Sequence, residues 1–294
     1  MQRRTAHDFD QELLALFDAY VHGAIDRRAF LDKATKFAVG GVTAAMLLDQ
    51  LNPSFLAAVK TDDPRIKAES IEFDSPKGYG KARGYHVCPA KTKGKLPGIL
   101  VIHENRGLNP HIEDIARRLA LQDFIAFAPD ALFPLGGYPG DEDKARELFQ
   151  KLDQAKTRED FVAAALHFEK RPDVKGKIGA VGFCYGGGMV NYLATRLGDD
   201  LAAGVAFYGS APNLEDVPKI KAPLMIQSAE NDERINASWP DYEKALKAAK
   251  VKYERFLYPG TQHGFNNDTT PRYDAKAAKL AWDRTIALFD KHVR

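Results

Sequence analysis

From residue 64 onward, short apolar runs alternate with longer amphipathic stretches. The apolar runs are typical of strands buried on both faces, and they occupy residues 98–103, 124–128, 178–183, 202–208, 224–228 and 253–258. The stretches between them predict helices over residues 112–121, 142–168 in one or two pieces, 187–197, 240–250 and 271–293. This alternation predicts an α/β protein with a mostly parallel central sheet and helices on both faces.

Two further strands precede this pattern. Residues 71–74 and 83–88 are predicted strands, and the glycine-rich residues 76–80 between them predict the turn of an opening hairpin. No linker rich in proline, glycine or serine divides the chain after residue 64. We therefore expect one α/β domain over residues 64–294.

Residues 1–60 differ in composition from the rest. An amphipathic stretch at 9–21 is followed by the pair Arg27-Arg28 and by an uncharged run at 37–48. The pair and the run resemble a twin-arginine export signal, which would place the protein in the periplasm. The alternative is a retained pair of helices, packed on the catalytic domain or on a second subunit of a homo-oligomer, in a cytoplasmic protein. The run is too short for a membrane anchor.

The overall composition excludes a disordered chain, a collagen and a scaffold held together by disulfides. Of the 294 residues, 45% are hydrophobic and 28% are charged, as in ordinary globular chains. The 42 Lys and Arg nearly balance the 40 Asp and Glu, so no strong field favours nucleic acid as a partner. There are two cysteines, Cys88 and Cys184, which fits a reducing compartment.

A glycine-rich turn carries the first candidate for chemistry. Cys184 lies in the sequence Gly-Phe-Cys-Tyr-Gly-Gly-Gly, directly after a predicted strand and before a predicted helix. A nucleophile on such a sharp turn needs small neighbours two residues away on either side, where this chain has Gly182 and Gly186. The dipole of the following helix would favour the thiolate. The alternative is a buried structural cysteine beside a phosphate-binding turn, although the turn lacks the Lys-Ser/Thr of a P-loop.

Two downstream residues favour the nucleophile. Asp232 follows the predicted strand 224–228, and His263 follows the strand 253–258. The order nucleophile, acid, histidine, each after a strand, is that of the α/β-hydrolase fold. With these motifs the chain resembles the dienelactone hydrolase family, over roughly residues 64–294. The resemblance implies that Cys184, Asp232 and His263 form a catalytic triad.

The resemblance also implies a further acid. The family's additional glutamate, which holds and releases the thiol proton, corresponds to Glu104, directly after the predicted strand 98–103. A plain ion pair of Glu104 with a nearby arginine is the alternative. The backbone amides of Tyr185 and Asn105 are the expected oxyanion-hole donors.

The predicted substrate pocket departs from the family. An arginine that holds the substrate carboxylate is expected four residues after the histidine, where this chain has Asn267. An apolar pocket is therefore expected, with Arg106 or Arg272 as possible substitutes for the missing cation. Its predicted apolar lining is Phe133, Tyr138, Trp239 and Phe265.

The sequence thus predicts a hydrolase of carboxylic esters or lactones that acts through a cysteine acyl-enzyme. Its partner would be a small-molecule ester or lactone, with no cofactor, nucleic acid or membrane anchor. His103, Glu104, His111 and Glu113 match no zinc motif in their spacing, so no metal is expected. The alternatives are a promiscuous hydrolase of activated esters or phosphotriesters, and a non-catalytic scaffold with a hydrolase-like fold.

Overall fold

One mixed sheet forms the centre of the molecule. The computed structural model describes residues 4–55, 58–92 and 94–294. Residues 1–3 and 56–57 of the predicted N-terminal extension, and residue 93 of the predicted domain, lie outside the described residues. Within the described ranges the sheet has eight strands in the order β1-β2-β4-β3-β5-β6-β7-β8. They are β1 (Ile66–Ser75), β2 (Gly80–Pro89), β3 (Gly98–Ile102), β4 (Ile125–Pro129), β5 (Ile178–Phe183), β6 (Leu201–Phe207), β7 (Leu224–Asn231) and β8 (Tyr253–Gln262).

The helices of the described chain fall into an N-terminal group and a group that covers the sheet. The N-terminal helices are α1 (Gln11–Val21), α2 (Arg27–Ala34) and α3 (Ala44–Leu51). The others are α4 (Pro110–Ala120), α5 (Glu142–Gln150), α6 (Gln154–Glu169), α7 (Tyr185–Leu197), α8 (Glu233–Asn236), α9 (Trp239–Ala248) and α10 (Ala275–His292). The predicted α/β architecture is confirmed, and the predicted stretch 142–168 is two helices, α5 and α6.

The strand pattern explains the sheet. β1 and β2 form the predicted hairpin, with Ile66 opposite Pro89 and Ser75 opposite Gly80, and β2 also pairs antiparallel with β4. The other neighbouring strands are parallel. Every residue of β3, β4 and β5 is buried, as expected for strands covered on both faces. The apolar layer on one face includes side chains of α6 and α7, and the layer on the other includes side chains of α4 and α10.

The N-terminal segment is helical and has a small core of its own. Leu13, Phe17 and Tyr20 of α1 pack with Phe30 of α2 and with the leucines of α3. The apolar run 37–48 is not one helix, because Gly40 and Gly41 have φ values of 63° and 85° and α3 begins only after them. None of the described helices is long and apolar enough to cross a membrane.

The segment is docked on the catalytic domain at the edge where the parallel strands end. Tyr20 Oη donates a hydrogen bond to Asp143 at 2.5 Å, and Asn105 Nδ2 donates to the carbonyl of Val21 at 2.7 Å. Further along, the backbone amide of Ser54 donates to the carbonyl of Thr269 at 2.8 Å. The N-terminal helices therefore lie over the loops in which the candidate catalytic residues were predicted.

Candidate active site

Cys184 occupies a strained turn between β5 and α7. Its backbone φ is 55°, in the left-handed region that residues other than glycine rarely adopt. A Cβ atom on Gly182 would overlap the carbonyl of Gly186, and one on Gly186 would overlap the carbonyl of Ile102. The two glycines are thus required by close approach of backbone, which fixes the cysteine at the tip of the turn. Strain of this kind is concentrated at functional sites.

Asp232 and His263 form a tight pair next to this turn. Asp232 is the N-cap of the short helix α8, directly after β7, and His263 follows β8. His263 Nδ1 lies 2.6 Å from Asp232 Oδ2, and both side chains are buried. Because Nδ1 is held by the carboxylate, Nε2 is free to face the cysteine, and a ring nitrogen of His263 lies within 4.8 Å of Cys184 Sγ. The structure therefore brings the three predicted triad residues together.

A second histidine, which the sequence pattern did not indicate, contacts the nucleophile. His22, the C-cap residue of α1, has its Nε2 3.2 Å from Cys184 Sγ, across 162 residues of sequence. Its ring crosses that of His263 edge to face, with centroids 4.7 Å apart. The available signal was Asp18 and His22 at i,i+4 on an amphipathic helix, which by itself indicates only a helical face.

His22 is held much as His263 is. Its Nδ1 lies 2.8 Å from the backbone oxygen of Asp18 and 3.3 Å from the Asp18 carboxylate. Arg272 Nη1 donates to the same carboxylate at 3.2 Å. Arg234 Nη2 lies 3.1 Å from His22 Nε2 and 3.5 Å from His263 Nδ1. Cys184 is therefore surrounded by two imidazoles, each with a carboxylate behind it, and a guanidinium.

These charges determine the protonation of the thiol. Burial raises the pKa of Cys184, but the charges of His22 and His263 outweigh burial and lower the pKa to about 5. Burial lowers the pKa of His263, but the Cys184 thiolate and the Asp232 carboxylate raise it to about 10. Burial likewise opposes an upward shift in the pKa of His22, which the thiolate and Asp18 produce. The arrangement favours a thiolate beside protonated imidazole.

Glu104, Asn105 and Tyr185 lie at this edge of the sheet. Glu104 is buried and accepts a hydrogen bond from Asn267 Nδ2 at 3.1 Å. Among the described residues, no hydrogen bond joins Glu104 to Cys184 Sγ, so its control of the thiol proton stays a prediction. Tyr185 is the first residue of α7, where a backbone amide has no partner within the helix. The oxyanion-hole roles of Tyr185 and Asn105 also stay predictions.

A cavity of about 330 Å³ opens on Cys184. The side chains lining it are mostly polar or aromatic, and they include two arginines: His22, Asn105, Arg146, Phe149, Gln150, Gln154, Tyr185, Tyr208, Ser210, Arg234 and Ile235. Arg146 of α5 is buried, stacks 4.2 Å over the Tyr20 ring, and has a buried Nε without a hydrogen-bond partner. Among the described residues, no carboxylate lies within 4 Å of its guanidinium.

The predicted pocket residues are not among those that line this cavity. Arg106 forms a buried ion pair with Glu142 at 2.9 Å, and Tyr138 Oη donates to the same residue at 2.8 Å. Arg272, the other predicted substitute cation, is bound to Asp18. Both cations that the sequence suggested are thus paired with carboxylates of the protein. Arg146, which lines the cavity, was not predicted from the sequence.

The other three predicted aromatic pocket residues are also placed elsewhere. Phe133 packs under Arg83, and the guanidinium of Arg255 lies 4.5 Å over the Trp239 ring. Phe265 is fully buried and packs against Tyr208. Phe265 therefore supports the site from behind, through Tyr208, whose hydroxyl is buried without a hydrogen-bond partner among the described residues.

The described residues offer one group with metal-binding character. His22, Cys184 and His263 have ligand atoms within 4.8 Å of one another. A thiolate and two imidazoles are ligands that zinc accepts. These are the same atoms that would carry acyl transfer, so a bound metal would compete with that chemistry.

The fold and this arrangement of a strained cysteine, a histidine and an acid at strand ends define an α/β-hydrolase. The chain belongs to the dienelactone hydrolase family, whose model matches residues 82–293. A second family model, described as YqhI-like, matches residues 1–39, which contain α1 and His22. The protein is accordingly a carboxylic ester hydrolase.

Individual relatives support this placement. An Escherichia coli K12 protein named "Putative carboxymethylenebutenolidase" is 32% identical, and the match covers 82% of this chain and 93% of that one. The crystal structure of a "Putative Dienelactone Hydrolase" from Klebsiella pneumoniae is 26% identical, has a TM-score of 0.67, and covers 77% of this chain and 100% of that one. A "Dienelactone Hydrolase-like Promiscuous Phospotriesterase P91" from metagenomic libraries has the same TM-score at 23% identity, covering 78% of this chain and 100% of that chain.

Proposed function

We propose that the protein hydrolyses a small carboxylic ester or lactone through a thioester acyl-enzyme on Cys184. The observation that carries the proposal is the strained Cys184 beside His263, whose other nitrogen is 2.6 Å from Asp232. This is the relationship of nucleophile, base and orienting acid that acyl transfer requires. The name of the Escherichia coli relative supports the same substrate class.

Acylation begins when the Cys184 thiolate attacks the carbonyl carbon of the ester. The bond from carbon to the leaving oxygen then breaks, and that oxygen takes the Nε2 proton of His263. Asp232 holds the ring in the required tautomer. The amides of Tyr185 and Asn105 would donate to the oxyanion, and a donor of this kind is worth about 3–4 kcal/mol in a comparable hydrolase.

Deacylation reverses these roles. Neutral His263 takes a proton from water, and the resulting hydroxide attacks the thioester carbon. The carbon–sulfur bond breaks, which regenerates the thiolate and protonated His263. With a lactone, the alcohol formed in the first step is part of the same molecule and leaves with the acid. The residues named here account for every proton, so the mechanism uses no cofactor.

A burst experiment with an activated aryl ester tests the proposal. A burst of phenol equal to the concentration of active sites, together with an acyl adduct on Cys184 in the mass spectrum, is expected. Cys184→Ala should show neither, while Cys88→Ala should retain both, because Cys88 lies on β2 at the hairpin, paired with Lys67. Turnover in Cys184→Ala equal to that of the parent would refute the proposal.

A second candidate is hydrolysis of activated phosphotriesters by the same thiolate, which the name of the metagenomic neighbour suggests. It predicts a phosphoryl adduct on Cys184 instead of an acyl adduct. Parallel assays with matched aryl carboxylate and aryl phosphotriester substrates compare the two. A higher kcat/KM for the carboxylate is expected, and the reverse order would favour the phosphotriester.

A further inference from the structure

We propose that His22 is a catalytic residue: its imidazole takes the proton of Cys184 in the resting enzyme and then holds the thiolate by a hydrogen bond from Nε2. This inference rests on the proposed function, because it concerns the same nucleophile. It extends the active site beyond the triad to helix α1 of the N-terminal segment.

The contact itself is the first argument. His22 Nε2 lies 3.2 Å from Cys184 Sγ, within the distance of a hydrogen bond to sulfur. Both of the oxygens near Nδ1, the Asp18 carbonyl at 2.8 Å and the Asp18 carboxylate at 3.3 Å, can only accept. Nδ1 therefore carries a hydrogen, and Nε2 is the nitrogen that exchanges a proton with the thiol.

The ends of two helices give the second argument. His22 is the C-cap of α1, and Cys184 is the N-cap of α7. The C-terminal end of a helix stabilises a cation, and the N-terminal end stabilises an anion. The two helix ends that meet here therefore favour transfer of a proton from the thiol to the imidazole.

All the charged groups that face His22 must be considered together. Burial, His263 and Arg234 oppose the imidazolium, and the Arg234 guanidinium, which can only donate, lies 3.1 Å from Nε2 and competes with a proton there. The Cys184 thiolate and Asp18 favour the imidazolium. Arg234 is about half exposed, with 45% of its side chain accessible, so water screens its charge, and it also lies 3.8 Å from the Asp18 carboxylate. The thiolate and Asp18 outweigh these opposing effects, so the pKa of His22 is raised from its ordinary value, which favours a protonated His22.

The environment of Glu104 gives the third argument. The resemblance to the family assigned the thiol proton to this carboxylate, but here Glu104 is bound by Asn267 at 3.1 Å. His22, in contrast to Glu104, is hydrogen-bonded to the sulfur. His22 can then stay protonated through both steps, leaving the transfer to the leaving group and from water to His263.

The pH dependence of alkylation tests the role without any turnover. In a Cys88→Ala background, the rate of reaction with iodoacetamide reports the Cys184 thiolate alone. We expect His22→Gln to move the inflection upward by at least about one pH unit, and to slow alkylation about tenfold at a pH below the new inflection. Glutamine keeps a hydrogen-bond donor but cannot carry the positive charge, so the change measures the effect of the charge alone. His7→Gln, an exposed histidine in the same segment, is the matched control and should leave the inflection unchanged.

A second variant covers the case in which His22→Gln does not fold. Asp18→Asn removes the carboxylate behind His22 and should shift the inflection in the same direction by a smaller amount. Unchanged inflections in both folded variants, verified by circular dichroism and melting temperature, would overturn the proposal. If the shift occurs but the aryl ester gives no burst, the proposed function fails and the role of His22 in thiol ionisation stands. A burst without the shift refutes only the role of His22.

Discussion

Asn267 donates a hydrogen bond from Nδ2 to Oε2 of the buried Glu104 at 3.1 Å. Asn267 is in turn fixed by its own turn, in which its Oδ1 accepts from the amide of Thr269 at 3.0 Å. From the sequence, Asn267 was notable only because it stands in place of a substrate-binding cation. In the structure it is the residue that positions Glu104.

This relationship predicts a modest role for Glu104 in ionising the thiol. Glu104→Gln can keep an oxygen toward Asn267, so the fold should be retained. We expect the inflection of Cys184 alkylation to move less in Glu104→Gln than in His22→Gln, because His22 is hydrogen-bonded to Sγ and Glu104 is bound by Asn267. Iodoacetamide kinetics in the Cys88→Ala background measure both. A larger shift in Glu104→Gln than in His22→Gln would indicate that Glu104, and not His22, controls the thiol proton.

The acid of the triad is the subject of the second prediction. Asp232→Asn should lower kcat by about 10⁴, as in other triads, because the amide no longer holds the required tautomer of His263. Glu230 is the matched control: it is exposed, and its carboxylate accepts from the amide of Gly260 at 2.8 Å. Steady-state kinetics should show little change in Glu230→Gln. A strong loss of kcat in Glu230→Gln, together with an active Asp232→Asn, would show that Glu230 and not Asp232 is the acid that orients His263.

The pKa values of the pair predict a bell-shaped pH profile. The pKa of Cys184 is lowered to about 5, so kcat/KM should rise with pH through that value as the thiol becomes the thiolate. The pKa of His263 is raised to about 10, so kcat/KM should fall above it, when the ring can no longer protonate the leaving oxygen. Initial rates with one ester across both limbs check this. A profile whose activity appears only above the ordinary pKa of cysteine would contradict it.

Arg146 predicts a preference for anionic substrates. The sequence alone predicted an apolar pocket, because Asn267 stands where the family has an arginine. In the structure Arg146 lines the cavity, its Nη1 donates to the carbonyl of Tyr20 at 3.4 Å, and no carboxylate of the described residues lies within 4 Å of its guanidinium. We therefore expect a carboxylate-bearing ester to have a higher kcat/KM than its neutral analogue, because an arginine–carboxylate contact is strong and directional. Competition between the two esters measures the ratio.

Two variants on α5 test this assignment. Arg146→Met should reduce the ratio of anionic to neutral kcat/KM, mainly through KM for the anionic ester. Lys144→Met removes a positive charge from the same helix, at a position that does not line the cavity, and should leave the ratio unchanged. Equal effects of the two substitutions would indicate a long-range field in place of a specific contact.

The sheet and the clustering of Cys184, Asp232 and His263 could be predicted because their signals are local. A strand buried on both faces is a continuous apolar run, and the turn at Cys184 requires Gly182 and Gly186 within four residues of sequence. His263 and Asp232 follow from the rule that parallel strands end at one edge. The hairpin extends to Ile66 and Pro89, beyond its prediction, because pairing continues through polar positions that an apolar pattern does not mark.

The contacts of the site could not be predicted in the same way. His22 reaches Cys184 only because α1 docks across the sheet edge, and the apolar face of α1 does not specify what it covers. Arg106 follows the same predicted strand as Glu104, but it pairs with Glu142 of α5 and is not among the residues that line the cavity. Side-chain direction depends on such long-range partners, which a single sequence does not identify.

The docking of α1 changes how this chain should be divided. The family model begins at residue 82, and the sequence pattern suggests a catalytic domain from residue 64, so either boundary would omit His22. A shortened gene product or a proteolytic fragment starting there would keep the sheet, Cys184, Asp232 and His263, and would still look complete by its motifs. Its thiol would nevertheless lack the imidazole at 3.2 Å. The proposed active site of this chain therefore draws on both regions, and a catalytic domain cut at residue 64 or 82 would carry Cys184, Asp232 and His263 without His22.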